Sequence, residues 1–427
     1  MMKKMKLLAM MLMAASISMT TVSCGSDGDD GDAPGQNDSD VSGGGSSNAD
    51  ALNSNDAKKK LEQYARELIS KVNSNDFINF QTITDAARNS DDQVISDWLD
   101  ACLEACESQV SDTYLKRVYA AANFTGEFVL SNGRWTQTQK GGDHLRISLT
   151  DTNGNPCVLT VTTSGSTTQV HHEAFDDEEY AGYWNGYSHY QTIANSFVIP
   201  EHINITLTQG GSTPLTAEVH TAITQGSGDF DPSRDEAQVT ASVTANDWKV
   251  LVNKAAFHAG KSAEATARVV KGSETLFEAS ASATGAVTND EASISTGKVV
   301  ARVLGGKVRV EGTIKDGFQR AMEQADKNDE KENSYKQWIT NANALMDVKL
   351  YLDDSKNASA SLVLLPFVDR YSSPYYSYEY WYNEPGLLFT DGTSYTFSEY
   401  FDDGSFKTVI KNFENLMDSF ARMFGDD

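Results

Sequence analysis

The residue of this sequence best placed for covalent chemistry is Cys24. It follows a basic start (Lys3, Lys4, Lys6), an apolar run from Leu7 to about Met19, and the segment Thr21-Val22-Ser23. A charged start, an apolar stretch and a small-residue cleavage region make a secretory signal peptide. The apolar run holds about half to two-thirds of the ~20 residues that a spanning helix needs. A cysteine directly after the cleavage region adds a reaction. Its thiol accepts diacylglycerol before residues 1–23 are removed, which makes the stretch a bacterial lipoprotein signal. Thr21 departs from the leucine usual three places before such a cysteine, and the competing reading is an ordinary cysteine behind a conventional signal. Each buried acyl methylene contributes about 0.8 kcal/mol, and more than one chain makes the anchor stable. The expected partner is therefore membrane lipid.

The other groups capable of chemistry are less specific. Cys102 and Cys106 lie four apart in a helix-like segment, half of a metal site by spacing. They also fall on one apolar stripe with Ile95 and Leu99, where free cysteine serves as a small core residue. Cys157 begins an apolar strand and could pair with either in an oxidising compartment. His171-His172-Glu173 precedes Asp176-Asp177-Glu178-Glu179, but adjacent histidines usually point in different directions. The loops from Asp151 and Asp326 graze the calcium pattern and fail it, with Pro156 and Lys331 where glycine makes the sharp turn. Phosphate-loop, zinc-helix, Cys-x-x-Cys and nucleophile-elbow patterns are missing. The expectation is no metal, no cofactor and no enzymatic activity.

Aromatic residues form the one enrichment that suggests a ligand. Residues 371–382 hold seven aromatics in twelve positions, among them Tyr375, Tyr376, Tyr378, Tyr380, Trp381 and Tyr382. Residues 180–190 hold five in eleven, among them Tyr183, Trp184 and Tyr187. Flat aromatic faces stack on the C–H face of sugar rings, phenol hydroxyls add hydrogen bonds, and Glu379, Asn383 and Glu384 could bond sugar hydroxyls. The structural alternative is that tyrosine simply favours strands. Trp381 offers the largest stacking face and is the ring expected to matter most.

These groups need a scaffold. The chain has 427 residues and a net charge of −25, long enough for two or three domains and too acidic for the basic footprint that nucleic acid requires. Residues 24–54 are mostly Gly, Ser, Asp and Asn and read as a flexible tether of about 30 Å reach. Residues 55–122 read as a helical region, with an N-cap at Asp56, a first helix to Asn73, and others over 76–88, 91–110 and 112–122. From residue 123 to 427 the period changes to two. A first antiparallel meander contains turns at Ser131-Asn132-Gly133, Gly141-Gly142-Asp143 and Asn153-Gly154-Asn155. Residues 171–192 interrupt it, and their charge run Asp176-Asp177-Glu178-Glu179 reads as a solvated loop. A second meander runs from Val198 to about Glu311, rich in alanine, serine and threonine, a face suited to close packing under helices or to a ligand groove. Helices over 315–326 and 331–344, a hairpin from Met346 to Val368 and an amphipathic C-terminal helix (Phe406, Ile410, Phe413, Leu416, Met417, Phe420, Phe424) complete it. The class is α+β: a helical N-terminal cap, a large curved antiparallel sheet meander, and C-terminal helices packed on the sheet.

Several segments carry a family likeness: Ile199-Pro200-Glu201-His202-Ile203-Asn204-Ile205-Thr206-Leu207-Thr208-Gln209-Gly210-Gly211, the Asp151–Cys157 turn, and Phe389-Thr390-Asp391-Gly392-Thr393-Ser394-Tyr395-Thr396-Phe397. With Thr-Val-Ser-Cys followed by Gly25-Ser26-Asp27-Gly28-Asp29-Asp30, the mature chain resembles outer-membrane lipoproteins of Bacteroidota (Bacteroides and Prevotella type) that carry no assigned activity. The resemblance implies an outer-membrane, lipid-anchored location, with the acidic run directing the protein to the exterior, and transfers no functional residue. The expected function is a surface protein that binds glycan or another polymer through its aromatics. The alternatives are a carrier holding a hydrophobic ligand between sheet and helices and, third, a hydrolase.

Overall fold

The computed structural model describes residues 52–88, 125–171, 177–184, 187–193, 196–226, 231, 233–287, 292–372, 377–402 and 406–424. Cys24, the expected helices over 91–110 and 112–122 with Cys102 and Cys106, His172, Glu173, Tyr375 and Tyr376 lie outside the described residues. Two compact units divide the chain: one takes residues up to Val72 with Lys261–Asp418, the other Asn73–Gly260 with the segment from Ser419.

In chain order, α1 (Ser54–Lys71) is followed by a 3-10 turn (Ser74–Phe77) and α2 (Ile78–Arg88). Ten strands come next: β1 (Gly126–Ser131), β2 (Arg134–Lys140), β3 (His144–Thr150), β4 (Pro156–His171), β5 (Asp177–Trp184), β6 (Tyr187–Ile193), β7 (Ser196–Gln209), β8 (Ser212–Thr224), β9 (Glu236–Ala245) and β10 (Trp248–His258). Then follow β11 (Ser262–Lys271), β12 (Glu274–Val287), β13 (Ala292–Val303), β14 (Val308–Ile314), α3 (Phe318–Asp326) and α4 (Glu332–Leu345). The chain continues through β15 (Met346–Leu352), β16 (Ala360–Ser372), β17 (Ser377–Phe389), β18 (Ser394–Thr396), α5 (Phe397–Asp402) and α6 (Lys407–Phe424). The class is α+β, an antiparallel sheet with helices at its N-terminal and C-terminal ends. Among the described residues no helix is long and apolar enough to cross a membrane.

In the unit of residues 73–260 the strand order is β10-β9-β8-β7-β4-β3-β1-β2. The Asn132-Gly133 turn between β1 and β2 has both residues at positive φ, 54° and 73°, the conformation a two-residue hairpin demands. The expected meander fails one strand later, because β3 lies parallel to β1 rather than beside β2. The reason is burial. Along β2 only Trp135 is covered, so this polar strand suits the edge, while Phe128 of β1 joins Leu145 and Ile147 of β3 in one core. Asp177, Glu178 and Glu179 of the acidic run are not loop but the start of β5, which pairs with β6 as a separate two-stranded sheet.

In the unit of residues up to Val72 with 261–418 the order is β18-β17-β16-β15-β14-β13-β12-β11. The first helix begins earlier than the Asp56 cap expected. Asn53 is the N-cap, its side chain accepting from the Asp56 N–H at 2.9 Å. Its start is tied down further along the chain, where the Ser54 N–H donates to Asp391 at 2.8 Å and the Tyr400 hydroxyl donates to the Ser54 carbonyl at 2.8 Å. Ala57 and Ala65 of α1 pack with Val299, Ala301, Val310, Val348 and Leu350 of the strands. The small residues of β12 and β13 thus permit close approach of a helix, one of the two readings of their alanines. Phe406, just before α6, and Val409 of α6 enter the same core with Phe389, Tyr400 and Phe401. Each large side chain so buried contributes roughly 1.5–3 kcal/mol.

Candidate functional site

The aromatic segment at residues 371–382 spans a long hairpin, β16 and β17, whose register pairs Phe367 with Tyr382, Asp369 with Tyr380 and Tyr371 with Tyr378. Alternation sends neighbouring residues to opposite faces. Trp381, with Leu364 and Val368, turns to the face covered by α3 and α4, where Ala325, Tyr335 and Ile339 enclose it. This corrects the expectation for Trp381. It is 6% exposed, its backbone N–H donates to the Asp329 carbonyl, and the Lys336 ammonium lies 4.5 Å from its ring centre. An indole that fills a core offers no face to a ligand. Asn383, on the same side, donates to the Tyr335 hydroxyl at 3.0 Å, and Glu379 pairs with Arg370 at 2.8 Å. Of the three polar groups expected to bond sugar hydroxyls, only Glu384 shares the tyrosine side.

That side carries a ladder of rings. Phe367 stacks on Tyr382 with centroids 5.8 Å apart, Tyr382 on Tyr380 at 5.9 Å, and Tyr371 on Tyr378 at 5.4 Å. Interplanar angles of 21–29° mean that the rings lie nearly parallel. Rings stacked along a hairpin cover one another's faces and turn their edges and phenol oxygens to solvent. The surface therefore offers a row of hydroxyls more than a flat platform. Burial, then Glu384, Asp369 and Tyr380, raise the Tyr382 hydroxyl above the usual phenol range, so it stays a proton donor at neutral pH. Burial, then Glu399, likewise pushes the Glu384 carboxyl upward.

The second aromatic segment forms β5–β6. Tyr180 stands opposite Tyr190 with an edge-to-face contact of 5.9 Å, and Trp184 stands opposite Tyr187 in the register. Tyr183 and Tyr187 are 65% and 73% exposed. A two-stranded hairpin is marginal on its own in water, so the Tyr180–Tyr190 ring pair is an apt means of holding it. The two cavities described adjoin β12, β13 and β14. One holds about 30 Å³ between residues such as Ala283, Val299 and Val348; the other, about 340 Å³, is lined by residues including Lys298, Lys315 and Asp316. The first has room for no more than a few waters; the second is an open groove rimmed by charge.

One cluster escaped the sequence reading. Among the described residues Glu201, His202 and His220 form a group with metal-ligating spacing. Counting back from the two-residue Gly210-Gly211 turn pairs His202 with Val219. A register shift between Leu207 and Gln209 instead brings His220 opposite His202. In comparisons with known proteins, no family model matches the chain, and neither does any curated protein sequence or solved structure.

Proposed function

We propose that the chain is a non-enzymatic surface protein, held at the outer membrane by lipid on Cys24, which binds a neutral polymer, a glycan first, through its exposed tyrosine hairpins. The observation that carries this reading is a concentration. Tyr180, Tyr183, Tyr187, Tyr190, Tyr371, Tyr378 and Tyr380 are all at least 42% exposed, and they sit on two hairpins only. Clustered exposed aromatics rimmed by polar groups mark interaction surfaces, and phenol edges match a ligand dense in hydroxyls. A net charge of −25 favours neutral over anionic polymers. The likeness to outer-membrane lipoproteins supports the location.

Affinity electrophoresis through gels cast with neutral polysaccharides tests the proposal. Tyr378→Ala with Tyr380→Ala, and separately Tyr183→Ala with Tyr187→Ala, should weaken retention while leaving the melting temperature nearly unchanged. Retention equal to wild type in both double variants, or none by wild type across the polysaccharide panel, overturns it. Lipid co-purifying with wild type would favour the carrier.

A further inference from the structure

We propose that Glu201, His202 and His220 bind one divalent transition-metal ion of the zinc class, with coordination positions left open to water or an outside ligand. His202 on β7 stands directly opposite His220 on β8, the ring centres 4.6 Å apart. Both imidazoles turn Nε2 toward the same oxygen, Oε1 of Glu201, at 3.7 Å and 3.6 Å. Those separations are too long for hydrogen bonds. They fit an ion between the groups, because metal bonds of about 2.0–2.1 Å in tetrahedral geometry put ligand atoms about 3.3–3.5 Å apart. All three ligand atoms lie within 4.8 Å of one another, so closing on an ion requires small side-chain movements only.

The carboxylate is held in place for this task. Its other oxygen, Oε2, accepts from the Ser166 N–H at 3.0 Å and from the Ser166 hydroxyl at 2.9 Å. Ser166 reaches it because the β4–β7 register shifts between Ser164 and Thr167, a bulge that sets Gly165 and Ser166 against Glu201. Gly165 has φ +83°, and a Cβ there would stand 2.7 Å from Oε2 and 2.8 Å from the Glu201 Cβ. Glycine is what admits the carboxylate. Donors that fix one oxygen and leave the other facing two imidazoles are the outer-shell arrangement that orients a metal ligand. Both rings are 39% exposed at the side chain, so an ion can enter. Two imidazoles and one carboxylate suit zinc and copper, whereas calcium and magnesium prefer oxygen-only cages.

Zinc titration of the full chain against a chromophoric chelator is the test, with thermal melts in zinc and in EDTA. The expected result is one equivalent bound at this site, lost in His202→Ala and His220→Ala. Ser166→Ala should weaken affinity about 10-fold by freeing the carboxylate. Glu201→Gln, which can keep the Ser166 contacts, should also bind more weakly. Zinc should raise the melting temperature of wild type and not of His220→Ala, with all variants equal to wild type in EDTA. Cobalt should give d–d bands without thiolate charge transfer, and His171→Ala with His172→Ala should leave the site intact. Zinc bound by His220→Ala as by wild type, a thiolate spectrum, or loss of binding only in the His171/His172 variant overturns the assignment.

Discussion

Asp151 offers the sharpest test of how the unit of residues 73–260 is held together. It is 4% exposed, in the turn between β3 and β4. Oδ1 accepts from the Asn153 and Asn155 N–H groups at 2.9 and 2.8 Å; Oδ2 accepts from Gln209 Nε2 at 2.7 Å, Asn155 Nδ2 at 3.1 Å and the Thr82 hydroxyl at 3.2 Å. One carboxylate thereby joins α2, the β3–β4 turn and the end of β7. Burial pushes its pKa up, but the donors on Asn155, Gln209 and Asn153 outweigh that and bring it from 3.8 down to about 2. A folded pKa below the unfolded one means stability that is present above about pH 4 and lost as pH falls toward 2. At 1.36 kcal/mol per pH unit, the amount is about 2 kcal/mol. Asp151→Ala should cost at least as much, about 2–4 kcal/mol, because several part-buried donors lose their acceptor, each at less than the roughly 1–3 kcal/mol of a fully buried group. Asp151→Asn removes the titrating carboxyl and turns one accepting oxygen into an NH2 that faces other donors, so it lowers stability at neutral pH as well as removing the pH dependence. Urea unfolding followed by tryptophan fluorescence, to which Trp135 of the adjacent core contributes, should show wild type losing about 2 kcal/mol more than Asp151→Asn between pH 5 and pH 2. Equal pH dependence in the two proteins, with Asp151→Ala costing under about 1 kcal/mol, would refute the reasoning.

Three further outcomes follow from other parts of the chain. Trp381→Ala should destabilise by about 3–5 kcal/mol and Tyr378→Ala by under about 1 kcal/mol; equal shifts in a thermal melt would contradict the two-faced β17. Phe406→Ala, which empties the place of a ring that is 3% exposed beside Phe401, should likewise lower the melting temperature by an amount equivalent to about 3–5 kcal/mol, and an unchanged melt would mean that Phe406 does not fasten the start of α6 to this core. Cys24→Ala should abolish acyl labelling and release the protein from outer-membrane fractions. Retention at the wild-type level would sink the lipid anchor.

Local chemistry was enough to place much of the architecture. The Asn132-Gly133 and Gly210-Gly211 turns need positive φ whatever surrounds them, so they were readable from residue type. The helical period around Tyr335 and Ile339 and the period-two runs of β7, β8 and β15 likewise named their elements, because burying one face imposes the spacing. The aromatic enrichment of residues 371–382 and 180–190 was visible for the same reason: composition is a property of the chain.

What stayed hidden depends on which face meets which partner. Alternation says that Trp381 and Tyr380 point apart, but not that α3 and α4, contributed by residues 318–345, cover the tryptophan and leave the tyrosine exposed. The polarity of β2 suits an edge, yet only packing among Phe128, Leu145 and Ile147 inserts β1 between β2 and β3. Glu201, His202 and His220 meet through a register shift in β7–β8 and a bulge in β4. Side chains alternate with a period of two, so a slip of one residue exchanges the faces of a whole strand; such a slip is set by backbone pairing across the sheet and leaves no mark in the order of residues.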